Sequence, residues 1–217
     1  MKKILLVCSL ALVSVALSAQ NLKGTSLNDR LANNPDSADV LGSLSLYQDA
    51  FKRQSYVEAL EPWEFVFTKA PLSMVRVYTD GAWMFENLIQ KETDAAKKKE
   101  YFEKLMNIYD QRLKYLDALN SFATPKTTST KGNIICRKAY DYYYFCPTMD
   151  NETAYKMFKE GIGDMGPNTE GFVLYAFIDC SNRRFMANKD NIDIRQEFIT
   201  GKVENEDSGL AMHFVPV

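Results

Sequence analysis

Residues 55–71 read SYVEALEPWEFVFTKAP. Tyr56, Ala59, Leu60, Trp63, Val66, Phe67 and Ala70 recur along this stretch at steps of three and four, which places them on one face of a helix. Ser55 and Glu58 have the spacing of a capping box, so the helix is predicted to start at Tyr56. Pro71 ends it. Pro62, inside it, removes one backbone hydrogen bond and is expected to bend the axis so that Trp63 tilts into its neighbour. Upstream, Val40, Leu44, Tyr47 and Phe51 repeat at helical spacing, which predicts a helix over 39–53 that breaks at Gln54 and Ser55. Two helices with so short a break between them fold back on each other as a hairpin.

Working outward, a third helix follows Pro71 with Val75, Tyr78, Gly81, Ala82, Phe85, Leu88 and Ile89 on one stripe. Thr93 is read as the cap of a fourth, which carries Tyr101, Leu105, Ile108, Tyr109 and Leu113. Residues 119–132 are rich in Thr, Ser, Pro and Gly and read as a loop. Beyond it, helices are predicted at about 134–145, 152–164, 170–187 and 192–203, with stripes such as Ala154, Met157, Phe158, Ile162 and Val173, Ala176, Phe177, Cys180. Asn151-Glu152-Thr153 has the form of a glycosylation sequon but reads better as a helix start. No stretch alternates long enough to make a strand. The fold class is all-α, built of antiparallel helical hairpins over 39–203. Residues 20–38 are polar and read as a flexible leader, and 204–217 as an irregular tail.

Residues 1–19 have the form of an export signal: Lys2 and Lys3, an apolar run from Ile4 to Leu17, then Leu17-Ser18-Ala19 before Gln20. The run is shorter than the ~18–20 residues that cross a bilayer as a helix, so no integral membrane span is expected. Cys8 follows Val7, where a lipoprotein cleavage box needs a small residue. The expected location is therefore outside the cytoplasm, in the periplasm or associated with the outer envelope. The chain carries a net charge of −2, more acidic still without the two signal lysines, which argues against a nucleic-acid partner. Cys136 and Cys146 fall on one predicted helix, ~15 Å apart by helical rise, too far for a disulfide. Cys180 can pair with either, but buried free thiols are the preferred reading.

The spacing Tyr56, Ala59, Trp63, Pro71, with Gly81 in the following helix, resembles the tetratricopeptide repeat. In that family a small residue of one helix lets a second helix approach closely, and a proline closes the unit. Tyr47, Ala50 and Val66 depart from the usual pattern, and the residues Lys91 to Lys99 read as an insertion that stretches the turn of the second unit. A third unit is readable at Ala154 and Phe158, weakened by Gly161 and by the lack of a recognisable glycine in its first helix. YVEALEPWEFVF, with YDQRLKY at 109–115, is similar to exported tetratricopeptide proteins of Gram-negative envelopes, which are often longer. The resemblance implies a short solenoid whose first helices line a concave groove. Gln48, Phe51 and Lys52 would face it in the first unit and Tyr78, Phe85 and Glu86 in the second, with Phe51 and Phe85 one repeat apart; equally, both phenylalanines could fill the seam between units.

Catalytic chemistry is thin. His213 stands alone in the tail without Cys or carboxylate at metal spacing, Gly161-Ile162-Gly163 lacks the third glycine of a phosphate loop, and Glu58 and Glu61 sit on an outer helix face. No catalytic residue, metal site or cofactor is expected. Tyr140, Tyr142, Tyr143, Tyr144 and Phe145 cannot all face one core, since successive helical positions differ by ~100°. They pack between units or form a surface for peptide or glycan. The expected function is binding of an envelope protein or extended peptide through the concave face. The alternatives are a secreted hydrolase working through carboxylates and a structural subunit that self-associates through apolar ends such as Leu210 to Val215.

Overall fold

A computed structural model describes residues 22–200. The export signal at 1–19, the tail at 204–217, His213 and the apolar run Leu210 to Val215 lie outside the described residues.

The described chain is all helical: α1 Leu27–Leu31, α2 Ser37–Lys52, α3 Tyr56–Lys69, α4 Arg76–Lys91, α5 Ala95–Lys114, α6 Leu116–Phe122, α7 Lys131–Phe145, α8 Asn151–Met165, α9 Gly171–Ala187 and α10 Ile192–Thr200. A 3-10 turn, Gly166–Asn168, leads into α9. Successive helices pack as pairs, α2 with α3, α4 with α5, α7 with α8, and α9 with α10. Each pair also meets the next: α3 lies on α4, α5 on α7 and α8 on α9, while α7 touches both α4 and α9. One core runs from Leu31 to Ile134 and a second from Cys136 to Cys180, joined along α7. Among the described residues no helix is long and apolar enough to cross a membrane.

The turn between α2 and α3 follows a different plan from the predicted capping box. Gln54 takes φ 59°, its N–H bonds to the carbonyl of Phe51 at 2.9 Å, and the N–H of Ser55 bonds to that of Ala50 at 2.9 Å. This is a Schellman closure of α2. It consumes the Ser55 N–H from which Glu58 would have accepted, and Glu58 pairs with Arg53 at 3.6 Å instead; the Ser55 side chain makes no cap bond either. A side chain in the left-handed region is strained, so Gln54→Gly is expected to raise stability by about 0.5–1 kcal/mol in urea titration.

Two segments read as irregular are structured. The polar leader contains α1, held by a capping box between Ser26 and Asp29. Arg30 fastens it: the guanidinium donates to the carbonyls of Ser73 at 2.7 Å and Thr25 at 2.6 Å and lies 3.9 Å over the Phe122 ring. Leu31 is buried and Leu27 packs beside it, but one apolar pair is too short a period to announce a helix in the sequence. The expected insertion at Lys91 to Lys99 is likewise helix, with only Glu92 to Asp94 between α4 and α5. Asp94, not Thr93, caps α5, accepting from the Lys97 N–H at 2.8 Å. The repeat period is broken by the length of α5 and by α6, which occupies the start of the predicted loop.

Candidate functional site

Trp63, 2% exposed, donates from Nε1 to the carbonyl of Val77 at 2.7 Å. It stacks on Phe67 at 4.8 Å and meets Phe85 edge-on at 5.4 Å. Gly81 makes room for this: a Cβ there would stand 2.5 Å from the indole Cζ2. Tyr56 and Ala59 are buried beside them and Pro71 is half-buried, its carbonyl accepting from the Tyr78 hydroxyl at 2.9 Å. α7 and α8 repeat the device with Gly161, which weakened the third unit in the sequence reading, and Gly132, which fell in the predicted loop. A Cβ on Gly161 would meet the backbone N of Cys136 at 2.8 Å, and one on Gly132 would meet the Cβ of Asp164 at 2.6 Å.

The six residues expected in a groove do not form one surface. Tyr78 and Phe85 are each 1% exposed and belong to the core, because α4 turns that stripe onto α3 and α5. Phe51 is half-buried over the turn, 5.7 Å from the Tyr56 ring, since Ala50 takes the inward position of α2. Gln48 is half-buried with its amide 3.4 Å from the Met74 sulfur. Lys52 is exposed beside Asp49. An open cleft lies on the side of α2 and α3 lined by Leu46, Arg53, Glu58, Glu61 and Phe65. Only Glu86 reaches a site with distinctive chemistry.

That site is built on α4, α5, α7 and α9. Arg137, Tyr140, Asp141 and Tyr144 follow one another on α7 at steps of three, one and three, so they form a single stripe. At its inner edge Asp141, 3% exposed, accepts from the Tyr109 hydroxyl at 2.6 Å, with the half-buried Glu86 of α4 beside it. Burial first, then the charge of Glu86, holds the Asp141 carboxyl well above the usual carboxylate range. Burial also raises Glu86, and burial followed by the charge of Asp141 raises Tyr109. Arg137 is engaged by Glu170, to which one guanidinium nitrogen donates at 2.8 and 3.0 Å.

At its outer edge the stripe becomes aromatic. Tyr140 lies 4.6 Å from Tyr144 and edge-on to Phe172 at 4.9 Å. The Arg137 guanidinium sits 5.1 Å from the Phe172 ring. Tyr144 is 46% exposed and Tyr175, one turn along α9 from Phe172, is 72% exposed. Tyr143 points inward and donates to Asp179 at 2.6 Å. The aromatic run thus divides as the 100° step requires, part to the core and part to the surface. The aromatic run stood out in the sequence, but Arg137 and Asp141 did not, and the partners Glu86, Glu170 and Phe172 come from other helices and carried no local signal.

Cys136, Cys146 and Cys180 are free. Burial pushes the Cys136 and Cys180 thiols up to about 12, which keeps them in the unreactive protonated form. Among the described residues no cluster of His, Cys, Asp or Glu is arranged to hold a metal ion. Comparison with protein-family models, with curated proteins and with solved structures finds no match to this chain.

Proposed function

We propose that this chain is a non-catalytic, exported binding protein whose helical pairs stack as a short tetratricopeptide-like solenoid and capture an extended segment of an envelope protein. The stacking part of this reading draws on the contacts of α4 with α7 and of α7 with α9, the first helices of successive pairs. The observation that carries the binding part is the aromatic row on those same helices, in which Tyr144, Phe172 and Tyr175 are exposed and Tyr140 is half-buried behind them. Such a row offers large, rigid apolar area with hydroxyl groups at its edge, the composition enriched in protein interfaces. The flanking pairs Arg137–Glu170 and Arg183–Asp179 give it a polar rim. A hydrolase reading would rest on Glu86 and Asp141, and the burial of Asp141 gives it no support, because a substrate could not reach that carboxyl. The structural-subunit reading draws on exposed Met186 and Ile192 in the last pair.

The test is a double change, Tyr144→Ala with Tyr175→Ala. Both side chains are exposed, so helical circular dichroism should be unchanged. Crosslinking in envelope extract identifies the captured segment, and anisotropy with the corresponding synthetic peptide measures its affinity. A loss of about tenfold or more is expected, since interface aromatics commonly contribute 2 kcal/mol or more. Equal affinity of wild type and variant for that peptide would overturn the assignment of this face.

A further inference from the structure

α10 lies on a core that closes without it. The buried cluster shared by α7, α8 and α9 takes no described residue from α10, and none of the described side chains of α10 is buried. Two neighbouring residues anchor the helix instead. Glu197 accepts on Oε1 from the Tyr155 hydroxyl at 2.8 Å and from Lys159 Nζ at 2.9 Å, and on Oε2 from the Arg184 guanidinium at 2.8 Å. Phe198 stacks on Phe185 with ring centroids 4.5 Å apart and planes 13° from parallel.

The seat that receives them is built by α8 and α9. Tyr155 and Lys159 are four residues apart on α8, so both stand on one face. The Arg184 side chain of α9, 11% exposed, lies 4.2 Å over the Tyr155 ring. Its Nε donates to Glu152 at 2.6 Å, which fixes the guanidinium and leaves one end for Glu197. Three donors from two helices thus converge on a single carboxylate, and such charge-assisted bonds are the strong ones. Burial opposes the charge on Glu197, but the hydrogen bonds from Lys159, Tyr155 and Arg184 outweigh it and hold the carboxyl below its usual range.

We propose that this α8–α9 seat is a docking site for a helical segment of another protein that presents a carboxylate followed directly by an aromatic ring, and that α10 is its resident, displaceable occupant. Complementarity defines the ligand: Lys159 and Arg184 call for an anion, and the flat face of Phe185 for a ring. Displacement leaves the core shut, since α10 gives it nothing buried. The seat is also separate from the aromatic row. Tyr175 and Arg184 are nine residues apart on α9, so at 100° per residue they leave the helix on opposite sides.

The test uses the full chain with Glu197→Ala and Phe198→Ala, which empties the seat, and a fluorescent peptide of residues 189–200 as the probe. A tethered segment competes at about millimolar effective concentration. The same segment in trans is therefore expected to bind the opened chain with a Kd of about 1 mM or tighter, and wild type about tenfold more weakly or worse. The peptide carrying Glu197→Gln should lose about tenfold or more on the opened chain, because it brings no charge to the seat. Adding Tyr144→Ala and Tyr175→Ala to the opened chain should leave this affinity unchanged, so the seat and the aromatic row succeed or fail separately. Absence of probe binding to the opened chain would overturn the proposal, and so would equal affinity for the glutamate and glutamine peptides. Glu197→Gln alone opens the seat more mildly and is held to the same outcomes if the double change disturbs circular dichroism. A wild-type dimer in light scattering that Glu197→Ala dissolves would give the seat to α10 of a second copy and would overturn the foreign partner.

Discussion

Trp63→Ala is expected to destabilise the fold by about 3–5 kcal/mol, the largest effect of any single side-chain truncation considered for this chain. Three losses combine. The indole is 2% exposed, so its removal leaves a cavity between α3 and α4. Its Nε1–H bond to the Val77 carbonyl at 2.7 Å disappears. The stacking against Phe67 and the edge contact with Phe85 go with it. Against a typical total of about 5–15 kcal/mol, this places the chain near or past its unfolding threshold. Urea titration followed by circular dichroism measures it, and a loss under about 1 kcal/mol would contradict the packing described.

The same contact predicts a coupling. Gly81→Ala ordinarily favours a helix by about 1 kcal/mol, yet here the new Cβ would stand 2.5 Å from the indole. The change should destabilise wild type and become neutral or stabilising once Trp63 has been replaced by leucine. A double-mutant cycle gives the interaction energy directly. Additive effects of the two substitutions would show that Gly81 is not there for the tryptophan.

The second large effect belongs to α7 and α8. Gly161→Val is expected to cost about 1–3 kcal/mol or more, because the obstacle is backbone and cannot rotate away. A Cβ at 161 meets the Cys136 N at 2.8 Å and its Sγ at the same distance, so the two helices must separate along their crossing. Phe158, Ile162 and Phe177 lie in the core that such a separation would open. Gly171, at the start of α9, has nothing within 4 Å of a built Cβ and provides the control. Gly171→Ala should leave the urea midpoint unchanged or raised. If both variants melt alike, the close crossing of α7 and α8 does not limit stability.

These two glycines illustrate what a sequence can reveal. Gly81 was legible because it follows Trp63 and Pro71 within one short stretch whose spacing carries meaning. Gly161 looked like a flaw, since a glycine inside a helix normally lowers its stability and its purpose stands on α7. Phe85 and Tyr78 show the converse difficulty. Their stripe was assigned correctly to one face of α4, but whether that face meets solvent or another helix depends on how neighbouring pairs rotate about it. Asp141 had no sequence signature at all. Its partner Tyr109 and its neighbour Glu86 lie on α5 and α4, and a carboxylate on a helix reads as solvated until its neighbours are known.

What the amino-acid sequence determined by itself was the helical class, the paired arrangement around Gln54 and the inward stripes of most helices. Those features arise from local physics: the 3.6-residue period, prolines that end helices and polar breaks between them. Tertiary structure alone decided that α1 is anchored by Arg30, that the expected groove residues are divided between core and surface, and that Glu86 comes beside Asp141. Each of those depends on the angle and register at which one helix lies on another. That is set by the whole packed core at once, and no single segment encodes it.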